Sequence, residues 1–149
     1  MQFQHFNDGW FCRHLEETGP GLPVSIPDDA MLREPRSATS MGGLNVSWFE
    51  GRDYAYTKTF SLTEEQLRGS LFLEFEGVYR KAEVWLNGRK AAFRPYGYTN
   101  FYCESEGNNI KRQTNSPAGI PAGLFAIRRR LAPKQRTPPA GPSDGGEAP

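Results

Sequence analysis

The chain of 149 residues carries 18 Lys and Arg against 17 Asp and Glu, a formal net charge of +1. This balance gives no general attraction to nucleic acid or to acidic membrane surfaces, so neither is expected as a partner. Length suits one domain with a sizeable core, but a hydrophobic content of 37% is low for a compact chain, so part of it is expected to lie outside that core.

The start, MQFQHFNDGW, has neither a basic n-region nor an apolar h-region, and no later apolar run approaches the roughly 20 residues that span a bilayer. Neither a secretory leader nor a membrane helix is expected. Asp8-Gly9 reads as a turn and Trp10 as a core aromatic. Cys12 and Cys103 form neither a disulfide framework nor a metal-binding pair, which suits free thiols in a reducing cytoplasm. From Glu16 to Ser40 the chain is rich in Gly, Pro and charge, without a sustained period. Pro23–Ala30 can supply only a very short edge strand, because proline cannot donate to a ladder.

Gly42-Gly43 and Gly51 punctuate turns around Val46-Ser47-Trp48-Phe49. Tyr54, Tyr56, Lys58 and Phe60 then alternate with Ala55, Thr57 and Thr59, a strand pattern rich in aromatic and β-branched residues. Ser61–Leu67 reads as a loop or single helical turn. Thr63 is placed to cap it and Gln66 to reach back, a capping box.

The most ordered pattern runs from Gly69 to Phe101. Leu71, Leu73 and Phe75 fall on one face at period two, with Phe72, Glu74 and Glu76 on the other. Ala82-Glu83-Val84-Trp85-Leu86 repeats this, with Ala82, Val84 and Leu86 inward. Asn87-Gly88 then suits a type I′ turn, whose two central residues need positive φ, and Arg89–Phe93 can run back as the second strand. Strands about every ten residues, with turn signals between them, indicate an all-β sandwich or barrel.

Several blocks in this order resemble a known family. Phe75-Glu76-Gly77-Val78-Tyr79, Ala82–Gly88 and Pro95-Tyr96-Gly97-Tyr98-Thr99-Asn100-Phe101 are similar to the N-terminal sugar-binding domain of glycoside hydrolase family 2, which includes β-galactosidases and β-glucuronidases. Asn7-Asp8-Gly9-Trp10 is similar to that domain's opening. Val24–Asp29 is similar to a segment of the form V-x-[LI]-P-H-D, with Asp28 where the family commonly has histidine. The resemblance spans roughly residues 3–116. It implies a jelly-roll-like antiparallel β-sandwich of galactose-binding type, a carbohydrate or β-glycoside as the partner of the whole enzyme, and no cofactor.

In that family both catalytic carboxylates are glutamates on a separate barrel domain, C-terminal to this one, and this chain is expected to stop before the barrel. Glu74, Glu76 and Glu83 read as solvent-side strand residues. His5 and His14 have no accompanying nucleophile or metal-ligand pattern, and Gly42-Gly43 lacks the helix and lysine of a phosphate loop. Trp48, Trp85, Tyr96 and Tyr98 are of the type that stacks on pyranose rings, although such aromatics also pack between sheets or against a neighbouring domain. The family's loop of the form N-S-R-W-Y lies near the active-site mouth, which makes Asn115 and Ser116 the residues expected to approach substrate. The reading is therefore a non-catalytic sugar-binding domain over 1–116. The alternative is a free-standing β-sandwich module that binds carbohydrate or protein.

After Phe101 the pattern weakens. Glu106–Ile110 resembles the family's Gly-x-Asn-x-Ile piece, but Lys111-Arg112-Gln113-Thr114 replaces the strand that should follow. Residues 117–149 are rich in Pro, Gly and Arg, and two readings stand: a disordered extension, or a tail translated in a disrupted frame. Pro117–Ala122 is encoded by CCN GCN GGN ATH CCN GCN. From the third base of Pro117 the shifted codons are NGC, NGG, NAT, HCC and NGC, which can spell the family's R-W-Y-[ST]-G directly after Asn115-Ser116. Gly123-Leu124-Phe125 in the given frame then resembles the family's next G-[LI]-[YF]. On the frame reading, sequencing the gene across codons 117–122 finds Arg-Trp-Tyr in the shifted frame. Third bases that forbid those codons eliminate this reading.

Overall fold

The structure is a computed structural model that describes residues 3–68, 70–79, 81–105 and 122–129. Among the described residues eight strands are present: β1 (Trp10–His14), β2 (Leu22–Val24), β3 (Tyr54–Phe60), β4 (Leu71–Phe75), β5 (Ala82–Leu86), β6 (Arg89–Arg94), β7 (Phe101–Ser105) and β8 (Ala122–Arg129). They form two antiparallel sheets. One has the order β2-β1-β3-β8-β5-β6, and the other is the pair β4-β7. The fold is the all-β antiparallel sandwich that the alternation predicts.

The hairpin joining β5 to β6 follows from its turn. Asn87 has φ 48° and Gly88 φ 77°, the two positive values of a type I′ turn, whose twist matches that of the flanking strands. Leu86 pairs with Arg89 and Trp85 with Lys90. The register then shifts, so that Val84 faces Ala92 and Ala91 is left unopposed, a β-bulge. Ala82, Val84 and Leu86 are buried while Glu83 and Trp85 are half-buried on the other face.

This buried stripe is the centre of the core. Trp10 from β1 and Phe101 and Cys103 from β7 pack with it, and Leu73 and Phe75 of β4 close the layer. Phe75 stacks on Phe101 with ring centroids 4.8 Å apart. A second cluster, Cys12, Ala30 and Tyr54, lies toward the other end of the large sheet. β2 is a three-residue strand at the sheet edge, where Pro23 takes a register position without having to pair on a second side.

Local chemistry sets the connections. Thr63 and Gln66 form the reciprocal capping box, with Gln66 N donating to Thr63 Oγ1 at 3.2 Å and Thr63 N to Gln66 Oε1 at 2.8 Å, at the start of α1 (Glu64–Arg68). Gly97 is buried against Tyr79. A Cβ there would lie 2.6 Å from the Tyr79 Cα, so only glycine allows these loops to touch.

One stretch corrects the sequence reading. Ala122–Arg129, inside the segment 117–149 that reads as a disordered or frame-disrupted tail, forms β8, paired on both edges with β3 and β5. The physical reason is that this strand is placed by pairing with β3 and β5, partners distant in the chain, which the local pattern does not encode. Residues 106–121, including the Gly-x-Asn-x-Ile piece, and 130–149 lie outside the described residues.

Val84 has no exposed surface. Val84→Asp places an unpaired carboxylate in the core and is expected to cost about 3 kcal/mol or more. Urea denaturation followed by tryptophan fluorescence reads the loss, and a midpoint unchanged from the parent contradicts this placement.

Candidate functional site

Two polar networks lie beneath the loops at the β1–β3 end, and sequence patterning pointed to neither. The first is built on Glu34, which is 8% exposed although charged. A short 3-10 turn, Ala30–Arg33, delivers it, and Asp29 begins that turn by accepting from Met31 N at 3.2 Å. Tyr54 Oη donates to Glu34 Oε1 at 2.9 Å, and His14 Nε2 lies 2.6 Å from the same oxygen. Arg52 Nε approaches Glu34 Oε2 at 3.4 Å. His14 Nδ1 meets Glu17 Oε1 at 3.0 Å, so both ring nitrogens face carboxylates. Only the imidazolium can donate from both. The bond to Glu34 raises the His14 pKa, against a smaller opposing effect of burial. Burial alone would raise Glu34, but its bonds from His14 and Tyr54 outweigh that and hold it low.

The second network centres on Asp28, where the family resemblance led one to expect histidine. Arg33 grips it bidentately, Nη1 to Oδ1 at 2.6 Å and Nη2 to Oδ2 at 2.8 Å, and Tyr56 Oη donates to Oδ2 at 2.7 Å. The bond from Arg33 holds the Asp28 carboxyl low, against the effect of burial. Cys12 lies alongside, its thiol pushed up by burial. Asp28 therefore acts as a clamp between the 24–34 segment and β3.

The predicted sugar-contacting aromatics are dispersed. Tyr96 and Tyr98, 60% and 74% exposed, meet edge to face with centroids 5.6 Å apart, and Tyr79 joins Tyr98 at 5.3 Å. Trp85 is half-buried and donates its indole N–H to Glu83 Oε2 at 3.2 Å. Trp48 stands apart on the loop between β2 and β3, 43% exposed. Glu83 also accepts from Lys90 Nζ at 2.9 Å, and Glu74 accepts from Tyr102 Oη at 3.0 Å. These carboxylates are engaged by neighbouring strand residues, as the alternation implied. His14 serves Glu34, and His5 is exposed. Asn115 and Ser116 lie outside the described residues. Among the described residues no group of three or more His, Cys, Asp or Glu is placed to hold a metal ion.

An antiparallel sandwich carrying loop aromatics is a galactose-binding-like architecture. Residues 31–106 match the family described as glycosyl hydrolase 2 galactose-binding domain-like, a little over half of the chain, and the chain belongs to that family. It is 46% identical over 106 residues to a protein of Formosa agariphila assigned as a β-glucuronidase, covering 65% of this chain and 10% of that protein. It is 30% identical over 103 residues to the β-galactosidase BoGH2A of Bacteroides ovatus, covering 65% of this chain and 12% of that enzyme. The fold is shared with a glycosyl hydrolase family 2 member from Bacteroides cellulosilyticus, at a TM-score of 0.68 and 20% identity over 85% of this chain and 17% of that one. The chain thus spans only about a tenth of the length of the curated relatives it matches.

The His14–Glu34 pair gives stability a pH window. His14 is raised above its ordinary 6.5, so its contribution is complete below that value and is lost as pH rises through the higher folded pKa. Glu34 is lowered from 4.5, so its contribution is present above that value and is lost as pH falls through the lower folded pKa. Stability from the pair is therefore greatest between the two ordinary values. His14→Gln is expected to cost about 2 kcal/mol within this window by leaving Glu34 short of a charged donor. It is also expected to flatten the decline that the parent shows on the alkaline side. Denaturation midpoints measured across this range for both proteins check it.

Proposed function

We propose that this chain is the non-catalytic sugar-binding domain of a family 2 glycosidase of β-glucuronidase or β-galactosidase type, and that hydrolysis of the O-glycosyl bond belongs to a catalytic barrel on another part of the whole enzyme. The observation that carries this reading is the family match across residues 31–106, joined to relatives of which the matched stretch makes up only about a tenth. The engagement of Glu74 and Glu83 in strand-face contacts supports it, since a retaining glycosidase needs two carboxyls about 5–5.5 Å apart with one left able to carry a proton. The partner of the whole enzyme is a carbohydrate. Two buried free thiols, Cys12 and Cys103, support a reducing compartment such as the cytoplasm. Among the described residues no helix is long and apolar enough to cross a membrane.

The 149-residue chain alone is expected to release p-nitrophenol from β-galactoside and β-glucuronide substrates only at the uncatalysed rate. Turnover that persists through purification and is abolished by Glu74→Gln, Glu76→Gln or Glu83→Gln would assign catalysis to this domain and overturn the proposal.

A further inference from the structure

The loop between β2 and β3 holds a feature that the networks above do not use. Ser47 and Trp48 both have positive φ, 50° and 65°. Left-handed backbone is uncommon for any residue with a side chain and an outlier for one as bulky as tryptophan, so two in succession persist only where the surroundings impose them. Here the loop is tied at both ends. Trp48 N donates to Gly43 O at 2.9 Å, Ser37 N to Trp48 O at 2.9 Å, and Ser40 Oγ to Phe49 O at 2.6 Å. The Trp48 ring passes over Gly43, where a Cβ would lie 3.7 Å from Cζ3. Arg36 is antiparallel to Phe49, and its guanidinium stacks over the Phe49 ring at 4.6 Å.

Between them lies an open depression of about 340 Å³ lined by Arg36, Ser37, Ala38 and Trp48. Its lining is mainly apolar. Among the described residues the Arg36 guanidinium has no carboxylate partner, and the Trp48 indole N–H has no acceptor. Arg52 and Arg33, by contrast, are engaged with Glu34 and Asp28. An indole held by its loop, beside a stacked arginine without a carboxylate partner and across an open depression, is a combination that suits a sugar with a carboxylate. The indole covers the C–H face of a pyranose, and the planar guanidinium pairs bidentately with a carboxylate.

We propose that this depression binds a uronic acid, a pyranose whose carboxylate pairs with Arg36 while its ring stacks on Trp48. This assignment rests on the carbohydrate role proposed above. The site would hold an acidic sugar unit without cleaving it.

The test is titration of the 149-residue chain with methyl β-glucuronide and with methyl β-glucoside, which differ at C6 in carboxylate against hydroxymethyl. The readout is the indole N–H resonances, with Trp48 assigned from Trp48→Phe. The glucuronide is expected to shift the Trp48 signal and to bind about tenfold more tightly, the contribution of one charge-assisted pair. Arg36→Gln, at an exposed position, should reduce glucuronide affinity to that of the glucoside. Arg36→Lys, which keeps charge without the fork, should recover part of it. Trp48→Ala, whose binding is read by calorimetric titration because that resonance is gone, should bind neither glycoside while melting at the temperature of Arg36→Gln. Equal affinity for the two glycosides, or a preference that survives Arg36→Gln, overturns the acidic-sugar assignment while leaving the carbohydrate role intact. Acetate binding as tightly as the glucuronide reduces the site to an anion contact and also overturns it. Binding of neither glycoside rejects the site, whereas failure of the glycosidase-domain reading would appear separately, as turnover by the isolated chain.

Discussion

The packing of one strand face decides this fold. Ala82, Val84 and Leu86 are sealed beneath Phe101 and Cys103, with Trp10 from the first strand completing the layer. The stripe couples the six-stranded sheet to the β4–β7 pair, so the sandwich exists only while this contact is dry. Burying a side chain of this kind contributes about 1.5–3 kcal/mol, and the stripe contains several. The Asn87-Gly88 turn fixes the position of the stripe: a one-residue slip in the hairpin would rotate Val84 to the opposite face.

Outside that layer, charge substitutes for apolar mass. The 24–34 segment has little alternation and only a three-residue strand, yet it is held in place by two carboxylates that point inward. Asp28 binds Arg33 and Tyr56, and Glu34 binds His14, Tyr54 and Arg52. Each acid is satisfied by at least one charged and one neutral donor, the condition under which a buried carboxylate is tolerated. Both tyrosines come from β3, two residues apart, so one strand face anchors both clamps. This links the Gly- and Pro-rich half of the chain to the sheet.

The same economy leaves the loops free to carry ligand chemistry. The Tyr79–Tyr96–Tyr98 cluster sits on connections held by the Gly97 contact, and Trp48 on a loop tied by its own backbone. Aromatic side chains presented from a rigid sandwich lose little freedom on meeting a ring, a property that the proposed sugar-binding role would use.

Much of the fold was legible in the sequence because its signals are local. Period-two alternation located β4 and β5, Asn-Gly located the hairpin, and Thr63 with Gln66 marked the start of α1. The family followed from motif order. The sequence could not place β4 and β5 in different sheets, because pairing partners are distant in the chain and strand choice is a matter of global packing. It could not place β8, whose partners β3 and β5 lie far off in the chain, and Pro, Gly and Arg around it obscured the local signal. Nor could it find Glu34 or Arg36. A buried acid and an exposed arginine look alike in a sequence, and only tertiary structure decides which carboxylate acquires three donors and which guanidinium is left with an aromatic ring and an open recess.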